Sequence, residues 1–99
     1  MWIKDRAEFD TRLIQAIHKT RNVLADCKQG KATPGTAPQY EYILKQLELI
    51  QSDLQGEDLP DENARMDRSI GYILTDNWDP KDTLGIELLY IDHYFLKKI

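Results

Sequence analysis

Two histidines, one cysteine and a run of aspartates are the residues of this 99-residue chain whose types could do chemistry. His18 and His93 lie far apart, and neither has a second His or Cys at metal-ligand spacing. His93 follows Asp92 directly, and neighbours on a helix point about 100° apart, so the two form no ready dyad. Cys27 falls on an apolar helical stripe and reads as a small core residue; a catalytic thiol would need a positioned base. The segment DNWDPKD (76–82) has carboxylates at several positions and invites a calcium test. An EF-hand loop needs glycine at its sixth position and a bidentate Glu at its twelfth. Counted from Asp76, those positions are Lys81 and Glu87, so the glycine fails. No nucleophile elbow, P-loop or dinucleotide fingerprint occurs. The expectation is a chain that is not an enzyme and holds no catalytic residue, metal or cofactor.

The elements that would position these residues read as helices. Asp5 and Glu8 have capping-box spacing, and Phe9, Leu13, Ala16, Ile17, Thr20, Leu24 and Cys27 then share one stripe. This helix should stop near Gly30, before the loop KATPGTAP (31–38). Pro38 suits the first turn of a second helix, whose stripe is Tyr40, Ile43, Leu44, Leu47, Ile50 and Leu54 and whose stop is Gly56. A third helix is predicted over 61–76, with Met66, Ile70, Ile73 and Leu74 inward and Gly71 allowing close approach of a neighbour. Asp79 should cap a fourth helix, with Pro80 in its first turn and Trp78 packing back on it. That helix carries Leu84, Leu88, Ile91 and Phe95, with Tyr90 and Tyr94 one turn apart. No alternating strand pattern appears. The fold expected is all-α, a single domain over 1–99 forming a small antiparallel four-helix bundle. A three-helix core with a loosely docked first helix is the alternative.

Composition sets limits on partners. Residues 1–33 hold seven Lys/Arg against four Asp/Glu, whereas residues 34–80 hold three against ten. An acidic middle argues against binding a phosphate backbone, and no helix concentrates a basic face for DNA. It favours basic protein partners and steered association. No stretch reaches the length of a membrane span, and MWIKDRAEFD lacks the apolar core of a signal peptide. A single cysteine permits no internal disulfide. The expected location is the cytoplasm, with no membrane, nucleic acid or small-molecule substrate as partner. Trp2, Tyr42, Tyr72 and Trp78 exceed what the stripes need and are candidates for a binding surface.

From Tyr40 onward the order of features resembles that of a known group. The chain has QLELI (46–50), a Leu54-x-Gly56 stop, RSIGYI (68–73), NWDPKD (77–82) and LLYIDHYFLKKI (88–99). In this it resembles the small helical immunity proteins of bacterial type VI secretion systems, in particular the family that neutralises NAD(P)-glycohydrolase effectors. The resemblance covers residues 40–99; the basic first helix and the TPGTAP loop lie outside it. Tyr72, Ile73 and Leu74 are bulkier than the residues expected after Ile-Gly. The resemblance implies a tight 1:1 complex with a cognate toxin domain, blocking its active-site cleft. A cleft that holds a nucleotide tends to be basic, and carboxylates can replace phosphates there. The face expected to contact the toxin comprises Glu57, Asp58, Asp61, Tyr72, Asp76, Trp78 and Asp82, with Asp76 and Asp82 freer than the capping Asp79. A helical adaptor or chaperone subunit is the other reading; a peptide-groove ligand or coiled-coil partner would favour it.

Overall fold

The computed structural model describes residues 2–55, 70 and 82–97. Among these the chain is all-helical: α1 spans Arg6–Lys28, α2 spans Ala37–Gln55 and α3 spans Thr83–Lys97.

Local chemistry explains each boundary. Asp5 is extended, and its side chain accepts from the Glu8 amide at 2.8 Å, while Glu8 Oε2 accepts from the Lys4 amide. The start of α1 is therefore fastened from both sides, as the Asp5–Glu8 spacing predicts. Its end is a Schellman turn: Lys31 N–H donates to the Asp26 carbonyl and Gly30 N–H to that of Cys27, each at 3.1 Å. Gly30 takes φ +87°, which a Cβ would make strained. A capping box also opens α2. The Thr36 amide donates to Gln39 Oε1 at 2.9 Å, and the Gln39 amide donates back to Thr36 Oγ1 at 3.4 Å.

Ion pairs give the helix directions. Arg21 meets Glu48 and Lys28 meets Glu41, so seven residues forward on α1 are seven back on α2. Arg12 meets Glu87, while Phe9, earlier on α1, stacks on Tyr94, later on α3. Both helices thus run antiparallel to α1 and parallel to one another.

The expected stripes form the core. Phe9, Leu13, Ala16 and Ile17 of α1, Tyr40, Ile43, Leu47 and Ile50 of α2, and Leu84, Leu88, Ile91 and Phe95 of α3 are buried together with Ile3 and Ile70. Leu24, Cys27, Leu44 and Leu54 pack at its margin. The first helix is not loosely docked, as the alternative had it: it contributes the fully buried Phe9 and closes against both other helices. Buried Thr20 satisfies its hydroxyl on the Ala16 carbonyl at 2.7 Å.

Two expectations need correction. The described residues hold three helices, not a four-helix bundle. The expected third helix, 61–76, falls outside them except at Ile70, which is buried and not helical. The Ile70 amide donates at 3.0 Å to Oδ1 of Asp92, a carboxylate buried on α3. The last helix also begins later than Asp79-Pro80 suggests. Asp82 is its cap: Oδ2 accepts from the Gly85 amide at 2.9 Å, and its carbonyl accepts from the Ile86 amide. The sequence offers two Asp-led starts three residues apart, and the one beside Gly85 opens the helix.

Candidate functional site

Of the expected toxin-facing set, Asp82 alone is described; Glu57, Asp58, Asp61, Tyr72, Asp76 and Trp78 lie outside the described residues, as does Asp79. Asp82 is not the freer carboxylate expected. It is partly buried, and one oxygen is engaged in capping α3. A helix N-terminus stabilises a carboxylate held there, so its charge is partly neutralised before a partner arrives.

A different surface is assembled among the described residues, where the segment before α1 crosses α3. On α3, Tyr90, His93 and Tyr94 stand at i, i+3 and i+4, the spacing of one helical face. Trp2 lies across this face. Its ring meets Tyr90 edge-on, with centroids 4.9 Å apart, and is tilted against His93 at 4.6 Å. Tyr94 is buried and stacks on Phe9 at 4.9 Å, which ties the face to the core. Trp2, Ile3, Tyr90, His93 and Tyr94 enclose a half-open cavity of about 310 Å³. Trp2 is 59% exposed, the most exposed large apolar side chain among the described residues.

Beside the cavity lies a charged clamp between α1 and α3. Arg12 Nε and Nη2 donate to the two oxygens of Glu87 at 2.5 and 2.7 Å, and Nη1 donates to Glu8 at 3.0 Å. The Arg12 guanidinium also lies over the Tyr90 ring, 5.4 Å from its centroid. The hydrogen bond to Glu87 raises the Arg12 pKa above its ordinary value, against the opposing effect of burial. Two carboxylates meet one guanidinium, so the cluster keeps a net formal negative charge.

A second, smaller hollow of about 190 Å³ lies between α1 and α2, lined by residues including Leu13, Ile14 and Leu54. Ile14 is 47% exposed there.

The remaining candidates take structural places. Tyr42 is partly buried against the core, and His18 is exposed. Cys27 is partly buried, with Sγ 4.0 Å from the Gly35 carbonyl. Asp92 is buried and its neighbour His93 exposed, as their divergence on a helix requires. Among the described residues, no group of three His, Cys, Asp or Glu side chains gathers where a metal could be held. No helix among them is long and apolar enough to cross a membrane. The sequence singles out Trp2 and the Tyr90–Tyr94 pair but does not join them. The signal that could have done so was His93 between the two tyrosines, which completes an aromatic i, i+3, i+4 face. Compared with known protein families, curated proteins and solved structures, the chain matches none of them.

Proposed function

We propose that this chain acts by binding another protein, as the inhibitor of a cognate bacterial toxin that works in the cytoplasm, in a 1:1 complex that blocks the toxin's active-site cleft. The observation that carries the protein-binding part is the exposed Trp2 held on Tyr90 and His93. An apolar ring more than half exposed yet fixed by two neighbours is a prepared contact, because little side-chain freedom is lost when a partner covers it. Trp and Tyr are also the residues most often found at the energetic centres of interfaces.

The toxin-inhibiting part rests on the resemblance of residues 40–99 to type VI secretion immunity proteins. In this reading the chain performs no catalysis and needs no cofactor. The acidic face of Glu57, Asp58, Asp61, Tyr72, Asp76, Trp78 and Asp82 remains a proposed second contact, with Asp82 contributing field more than a free carboxylate. The test is co-expression with the product of the gene upstream of its own, as the candidate toxin. The expected result is restored growth and co-purification in equal amounts. Continued killing with the chain present at high level would end the inhibitor reading.

A further inference from the structure

We propose that the cavity formed by Trp2, Ile3, Tyr90, His93 and Tyr94 receives a cationic side chain, arginine or lysine, from the partner protein. The proposal rests on the protein-binding reading and supplies its anchor. Aromatic faces carry negative potential and attract cations within about 6 Å of the ring centre. Tyr90 already attracts one, the Arg12 guanidinium at 5.4 Å. Three further ring-bearing side chains, Trp2, His93 and Tyr94, line the cavity.

Charge points the same way. Arg12 would repel a second cation if it stood alone, but Glu8 and Glu87 both bind it, and the cluster is negative overall. Three of its five N–H groups donate to two carboxylates, so an incoming anion would meet a guanidinium whose charge is already offset. An acidic ligand therefore gains little here, whereas a cation gains both the rings and the net negative charge. The cavity, at about 310 Å³, lies at the lower end of small-molecule sites, of the order of one long side chain. The cavity is half open and Trp2, one of its lining residues, is more than half exposed, which gives a side chain a way in.

The test needs no partner. N-acetyl-argininamide is titrated into the full chain at about pH 8, above the ordinary histidine range, and the Trp2 indole and the Tyr90 and His93 amides are followed by NMR. N-acetyl-citrullinamide, equal in shape but uncharged, is the control. Saturable shifts confined to these signals are expected, with the citrulline compound binding about fivefold more weakly. Trp2→Leu should abolish the shifts at Tyr90 and His93, while Trp2→Phe keeps most of them. Trp2 is exposed, so both variants should retain the wild-type amide spectrum elsewhere. Equal affinity for the two compounds, or no shift with either, overturns the proposal. So would shifts with phosphatidylcholine vesicles but not with arginine, since the cation would then be a lipid headgroup. Failure of this test leaves the inhibitor reading to its own test, because growth rescue does not depend on which side chain fills the cavity.

Discussion

Asp82 shows how one side chain can answer to two accounts. It is the cap of α3 and also a member of the acidic set proposed to face a toxin. The two roles separate by substitution. Asn caps about as well as Asp, so Asp82→Asn should leave stability within a few tenths of a kcal/mol, whereas Asp82→Ala should cost about 1 kcal/mol in a urea melt. A loss with Asn equal to that with Ala would show that charge, not capping, holds the helix start. Tyr40 gives a second residue-scale prediction. Its hydroxyl accepts from the Gly35 amide at 3.2 Å, and burial raises its pKa above 10.0, with the Gly35 contact opposing. The folded chain thus holds the phenol proton more tightly than the unfolded chain does. That stabilisation is complete below pH 10.0 and is lost as pH rises through the folded-state pKa. Wild type should lose more stability between neutral pH and the alkaline limit than Tyr40→Phe does. Equal losses would mean that the phenol titrates as if unfolded.

At the scale of elements, burial follows the helical period closely. Leu47 is fully buried at the middle of α2. Leu47→Ala should cost roughly 2–4 kcal/mol as a large-to-small core change, and a loss under about 0.5 kcal/mol would contradict its placement. Gly30→Ala should cost about 1 kcal/mol although nothing lies within 4 Å of the added Cβ, because the cost is in the backbone. The three stripes and the α1 cap were legible in the sequence because they depend on neighbours three or four positions away. The start of α3 was not. Asp79-Pro80 and Asp82-Thr83 are both good starts, and choosing between them needs information from beyond the segment. Ile70 is the clearest miss. It is buried as expected but is not helical, and its amide donates to Asp92, twenty-two residues away, a bond that no local pattern signals.

For the molecule as a whole, the arrangement of α2 and α3 on either side of α1 accounts for where the aromatic surface lies. Trp2 precedes the first helix and Tyr90 belongs to the last, so their meeting depends on α1 and α3 packing antiparallel. The sequence marked Trp2 as surplus to the core and Tyr90 and Tyr94 as one turn apart, but the cavity between them is a property of tertiary packing. The Arg12–Glu87 clamp fixes that packing, and a lysine cannot reproduce its two parallel hydrogen bonds. Arg12→Lys should therefore destabilise the fold by about 1 kcal/mol and broaden the Trp2 indole signal in NMR. An unchanged indole signal would show that Trp2 is placed independently of the clamp. The function proposed for the chain is inhibition by occupying a toxin's cleft. The most direct measurement titrates the purified chain against a toxin domain that co-purifies with it while following toxin turnover. Turnover should fall linearly and reach zero at one chain per toxin; turnover undiminished by a tenfold excess of the chain would contradict the account.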